Sequence, residues 1–165
     1  MGKIFFCAIL VCLASIAAAD EPLPPPVTVT ACSASGEFCA TSDPITKETV
    51  IHRREQAYPL WKIQGWYRWL LITNDGRRVV IGYPGLNLIP KEARMNSEVF
   101  RVYGPRGLVK SLLLSDIYQR KSQLVETESH YGWERSVFLD DKGNLIVERE
   151  DGRKLAFDPN TGKPF

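Results

Sequence analysis

Cys32-Ser33-Ala34-Ser35-Gly36-Glu37-Phe38-Cys39, Ile72-Thr73-Asn74-Asp75-Gly76-Arg77-Arg78-Val79 and Leu139-Asp140-Asp141-Lys142-Gly143-Asn144-Leu145-Ile146 align without a gap. Each stretch leads with an apolar residue, passes through small polar residues, places glycine fifth and returns to an apolar residue at the eighth position. Turn chemistry explains the pattern. Asn, Asp and Ser suit a type I turn, and a glycine in the left-handed conformation lets the second strand come back. Three hairpin tips are therefore expected, with Gly36, Gly76 and Gly143 at positive φ and the first and eighth residues near each other across paired strands.

The rest of the chain is punctuated in the same way. From Val27 onward, short runs of Val, Ile, Leu, Trp, Tyr and Phe are broken by Gly, Asp, Asn or Pro. Tyr103-Gly104-Pro105-Arg106-Gly107 predicts a fourth hairpin joining Glu98–Tyr103 to Leu108–Leu114, and further turns fall at Gly82–Gly85 and Glu150–Arg153. Trp66–Thr73 is apolar on both alternating faces, Trp66, Leu70 and Ile72 on one and Tyr67, Trp69 and Leu71 on the other, which suits the centre of a packed structure. One short helix is expected near 115–123, with Ser115 as N-cap, Asp116 in the first turn, and Ile117, Tyr118 and Leu124 inward. The expected fold is all-β: an antiparallel meander of about ten strands in packed or partly radial sheets.

The repeated hairpins, with the closing segment Lys154-Leu155-Ala156-Phe157-Asp158-Pro159-Asn160-Thr161-Gly162-Lys163, resemble the blades of β-propeller proteins. The chain looks like small uncharacterised exported bacterial proteins with this blade-like meander, a resemblance that implies no activity. The spacing departs from the blade pattern, since Gly36 and Gly76 lie 40 residues apart but Gly76 and Gly143 lie 67 apart.

Residues 1–19 read as a signal peptide: Lys3 is a positive start, Ile4–Ile16 is apolar, and Ala17-Ala18-Ala19 offers small residues for cleavage. Residues 20–26 form a proline-rich lead-in expected to be an extended, mobile tail, and 27–165 is expected to be a single β-rich domain. The expected location is the periplasm or the extracellular space, with no stable membrane insertion after cleavage. Lys and Arg total 21 against 19 Asp and Glu, a near balance that argues against nucleic acid as partner. Cys7 and Cys12 belong to the leader. Cys32 and Cys39 remain as an even pair in an exported chain and are expected to form a disulfide.

The sequence carries little that is catalytic. His52 and His130 lack metal-ligand spacing, so no metal and no cofactor is expected. Asp140–Asn144 lacks the alternating oxygens of a calcium loop and reads as a turn. His130 lies in Thr127-Glu128-Ser129-His130-Tyr131-Gly132-Trp133, the one concentration of chemically capable side chains, but strand neighbours point to opposite faces and would separate it from Ser129. Aromatic density is the remaining hint, and loops 82–90 and 130–133 are the expected recognition surface, with Tyr83, Asn87, His130, Tyr131 and Trp133 as binding residues. The expected function is an exported, non-catalytic binding or interaction module with a protein or glycan partner. The alternatives are a small hydrolase using His130 and a structural envelope component.

Overall fold

The computed structural model describes residues 23–56 and 58–165. The leader 1–19, its two cysteines and lead-in residues 20–22 lie outside them. Fourteen strands form four antiparallel sheets among the described residues, more strands than the sequence suggested. Sheet A is the meander β1 (Val29–Cys32), β2 (Phe38–Asp43), β3 (Glu48–Arg53) and β4 (Pro59–Gln64). Sheet B orders β5 (Leu70–Ile72), β6 (Val79–Ile81), β8 (Glu98–Gly104) and β9 (Gly107–Leu113), with β7 (Leu88–Pro90) looped out. Sheet C pairs β7 with β11 (His130–Gly132) and β10 (Val125–Glu126), and sheet D is the meander β12 (Ser136–Leu139), β13 (Leu145–Glu148) and β14 (Lys154–Phe157).

The first strands of sheets A, B and D gather together: β5 touches β1 and β2 of sheet A and β12 of sheet D. The four antiparallel sheets are those of the expected packed or partly radial all-β fold. Sheet B lies in the middle, so its strands are apolar on both faces. Leu70, Ile72, Val79 and Ile81 enter one core with Phe38, Ala40, Ile51 and Ile63 of sheet A. Val80, Phe100, Val102 and Leu112 enter the other with Trp133, Leu145, Val147 and Phe157. Full burial of each such side chain is worth about 2 kcal/mol.

Gly36, Gly76 and Gly143 have φ of 73°, 65° and 81°, and each donates its N–H to the carbonyl three residues back, at Ser33, Thr73 and Asp140. Gly76 is the most constrained, because a Cβ there would lie 2.4 Å from the Phe38 ring. In the first two hairpins, positions one and eight oppose each other, Cys32 to Cys39 and Ile72 to Val79. The third closes one residue sooner. Leu139 faces Leu145 and not Ile146, because Asp140 N–H reaches Asn144 O, whereas Ser33 and Thr73 reach residues 38 and 78. Cys32 and Cys39 are disulfide-bonded, with Cα atoms 4.0 Å apart.

Four further expectations need correction. The helix is a single turn, α1 (Leu114–Ile117), followed by a separate 3-10 turn at Lys121–Gln123. Ser115 is not its cap: Leu113 occupies that position, and its N–H donates to Asp116 Oδ2 at 2.7 Å. Ile117, Tyr118 and Leu124 do point inward. Trp66–Thr73 is strand only over Leu70–Ile72. The lead-in from residue 23 is held to the body, since Arg68 Nη2 donates to Pro24 O at 2.6 Å and Trp66 Nε1 donates to Val27 O at 2.7 Å. An extended proline-rich segment has free carbonyls, and Arg68 satisfies that of Pro24 while Trp66 holds the first residue after the lead-in. The 67-residue spacing has a plain origin: the 82–97 excursion and the 114–135 connection supply sheet C and α1 between the second and third hairpins.

Candidate functional site

The hairpin tips 33–38, 73–78 and 140–144 lie at one end of the sheets, where Ser35 N–H donates to Asn74 Oδ1 at 2.9 Å and Gly143 approaches Thr73. Chain direction therefore puts Trp69 before β5, Gly82 after β6 and Arg135 before β12 at the opposite end. There the two loops singled out in the sequence meet. Residues 130–132 pair with 88–90, Trp133 N–H donates to Asn87 O at 3.1 Å, and Trp133 Nε1 donates to Leu86 O at 2.8 Å. The register joins segments 40 or more positions apart in the chain.

A cleft of about 230 Å³ opens at this junction, walled by Trp69, Tyr83, Phe100 and Trp133, with Leu86, Asn87 and Val137 around them and Glu134 and Arg135 as its charged residues. Phe100 bridges the two tryptophans, with ring centroids 6.1 Å from Trp69 and 5.3 Å from Trp133, both pairs tilted. Gly82 makes the Trp69 wall possible, because a Cβ there would lie 2.3 Å from that ring. Behind Trp133, the Tyr118 hydroxyl donates to the Trp133 carbonyl at 2.5 Å, and the guanidinium of Arg149, only 5% exposed, stacks on Tyr118 at 4.1 Å and pairs with Asp151 at 2.8 Å. The wall is thus anchored from behind by a buried charge.

Glu134 stands out electrostatically. Partial burial pushes its carboxyl up, and the charge of Glu150 adds to the effect. Arg135 does not neutralise it. That guanidinium donates to Glu150 O at 2.8 Å and lies 3.9 Å from Glu148 Oε1, on the side of sheet D.

Of the residues expected to bind, Tyr83, Asn87 and Trp133 come together in the cleft. Trp133 is only 1% exposed, so it serves as a wall and not as an open stacking platform. His130 and Tyr131 do not line the cleft. They sit on β11 opposite Pro90 and Ile89, and the Tyr131 ring receives the Lys121 ammonium at 5.1 Å. His130 and Ser129 are closer than strand alternation allowed, with Ser129 Oγ 2.9 Å from His130 Nδ1, because Ser129 lies in the bend before β11 and not within the strand. Phe100 and Glu134 were not anticipated. Phe100 reads as ordinary core, and a single glutamate before a strand carries no signal.

Among the described residues no helix is long and apolar enough to cross a membrane, and no group of three or more His, Cys, Asp or Glu could hold a metal ion.

No known family's profile matches the chain, and no curated protein matches it. Solved structures with some likeness include HIRA(644-1017), at 13% identity and TM-score 0.48, covering 78% of this chain and 36% of that one. A second is hydrazine synthase of Kuenenia stuttgartiensis, at 14% identity and TM-score 0.41, covering 82% of this chain and 34% of that one. A third is a protein of unknown function from Bacteroides caccae, at 15% identity and TM-score 0.26, covering 82% of this chain and 57% of that one. The chain spans about a third of the length of the first two. Likeness at this level transfers no activity, so the functional reading rests on the cleft itself.

Proposed function

We propose that this is an exported, non-catalytic interaction module, a single β-rich domain from residue 27 onward, that holds one side chain of a protein partner in the aromatic cleft. The observation that carries the reading is the convergence of Trp69, Tyr83, Phe100 and Trp133 on a cleft of about 230 Å³. That volume lies below the usual range for drug-sized ligands and suits a single anchoring side chain, the kind of buried contact that dominates interface energetics. A glycan fits less well, because sugar stacking needs an open ring face and Phe100 and Trp133 are almost fully buried. Export is supported by the Lys3–Ala19 leader pattern and by the Cys32–Cys39 bridge, which persists in an oxidising compartment.

The test is site-specific photo-crosslinking in the native host, with a photoreactive residue at Tyr83 and, as control, at Asn74 on the tip end. A discrete adduct from position 83 that disappears with Trp69→Ala is the expected result. Adducts from position 74 alone would move the interaction surface away from the cleft.

The Ser129–His130 contact keeps a second reading in view, a hydrolase using this pair. Ser129 lies in the bend before β11 and His130 opens that strand, and neither lines the cleft. Ester or peptide turnover that vanishes with His130→Ala would establish that reading, and unchanged adduct formation in the same variant supports the binding module.

A further inference from the structure

We infer that the side chain taken by the cleft is a cation, the ammonium group of a partner's lysine, held between the aromatic walls and Glu134. The inference rests on the interaction-module reading above and specifies its ligand. Three observations carry it. First, the wall is built from rings: Trp69 and Tyr83 are partly exposed, backed by the buried Phe100 and Trp133 in a tilted chain, and the faces of such rings carry negative electrostatic potential that attracts cations. Second, Glu134 is the only carboxylate among the lining residues, and it is half-buried beside a second acid, Glu150. Third, the one cation in the lining, Arg135, is already turned to Glu150 O and Glu148. Among the described residues, therefore, the cleft offers a negative charge with no cation set against it.

The competing ligand classes fare worse. A neutral apolar side chain would fill the space but strip water from the Glu134 carboxylate without replacing its hydrogen bonds, and an anion would meet that charge directly. An ammonium group supplies three donors at the end of an apolar stem, so its methylenes lie against the rings while its head reaches the carboxylate. Lysine's compact head also suits the small volume.

The test titrates the purified, disulfide-bonded protein with n-butylammonium, a mimic of the lysine end, and with 1-butanol, its neutral counterpart, following the indole N–H resonances of Trp69 and Trp133. Saturable shifts with n-butylammonium about tenfold tighter than with 1-butanol are expected. In Glu134→Gln the preference is expected to disappear while 1-butanol binding remains. Equal affinity for the two probes in the unmodified protein would overturn the cation assignment and leave the cleft as a side-chain site. Undiminished preference in Glu134→Gln would overturn the role of Glu134. Failure of both probes to shift either resonance would remove the cleft reading itself.

Discussion

The two ends of the sheets carry the same chemical group to opposite effect. At the tip end, Asp75 accepts from Thr73 Oγ1 at 2.6 Å and from Arg77 N–H at 2.9 Å. Asp140 accepts from the N–H groups of Lys142 and Asn144 and from Asn144 Nδ2, all within 2.9 Å. Burial pushes both carboxyls up, but these hydrogen bonds and the neighbouring Arg77 and Lys142 charges outweigh it and hold them below the usual aspartate range. At the cleft end burial pushes Glu134 up and Glu150 adds to it, with nothing acting the other way. A carboxylate consumed within its own turn specifies backbone geometry and has little left for a ligand. One that is half-buried without a counterion is a destabilised charge, the condition expected of a binding group.

The contrast breaks most visibly at Gly76. Valine there must adopt a left-handed backbone and also place Cβ inside the Phe38 ring, so Gly76→Val is expected to cost about 3 kcal/mol or more. Gly143 has similar backbone but meets only Thr73 Cγ2 at 3.8 Å, so Gly143→Val pays the backbone cost without the clash and should lose clearly less. Chemical denaturation of both variants measures the difference. Equal losses would mean that the Phe38 contact contributes nothing.

The disulfide distinguishes the first hairpin from the other two. Closing an eight-residue loop is worth about 2.5 kcal/mol on the chain-entropy estimate. The reduced protein is expected to lose about that amount and stay folded, because the same register holds Ile72 to Val79 without a covalent bond. Matched denaturation curves with and without reductant test it, and collapse of the sheet signal on reduction would show that the first hairpin depends on its bridge.

The tip end was legible in the sequence because its geometry is local. Within eight residues, Asx hydrogen bonding and one glycine determine the turn, and Gly36, Gly76 and Gly143 all take the expected conformation. What local pattern could not reveal was loop length: Asn144 closes the third hairpin at the sixth position, whereas the aligned Arg77 does not and Arg78, one position later, closes the second. The cleft end was legible only in part. Its loops were marked by composition, but their pairing is set by the register of Tyr131 on Ile89, a non-local choice. Its walls come from four separate segments, and Trp66–Trp69 read as strand because an apolar run gives no sign of where ladder pairing begins. Ser115 failed as a cap because tertiary hydrogen bonds from Leu114 N–H to Ser97 O and from Ser115 N–H to Met95 O draw the turn two residues earlier.

A smaller effect sharpens the tip end. Asp140→Ala removes the carboxylate that braces the turn of the third hairpin, and the expected cost at neutral pH is about 1 kcal/mol, limited by the exposure of the turn. Because the folded carboxyl titrates below its unfolded value, its contribution is present above the usual aspartate range and is lost as pH falls through the folded value. Parent and variant stabilities should therefore converge in acid. A constant gap down to the acid limit would show that packing, and not charge, is responsible.

Glu134→Gln should give the smallest change, with the opposite sign. A carboxyl whose folded value is raised binds protons more tightly in the native state, so stability falls as pH rises from the usual glutamate range through the folded value and stays reduced above it. Replacing the charge with a neutral isostere removes that penalty. Near neutral pH the variant is therefore expected to be slightly more stable, by less than about 1 kcal/mol given the group's partial solvent exposure, while below the usual glutamate range the two proteins should match. Thermal melts across pH measure this directly. Destabilisation at neutral pH would show that Glu134 is a structural partner of the cleft wall, and its role would then resemble that of Asp140 at the other end.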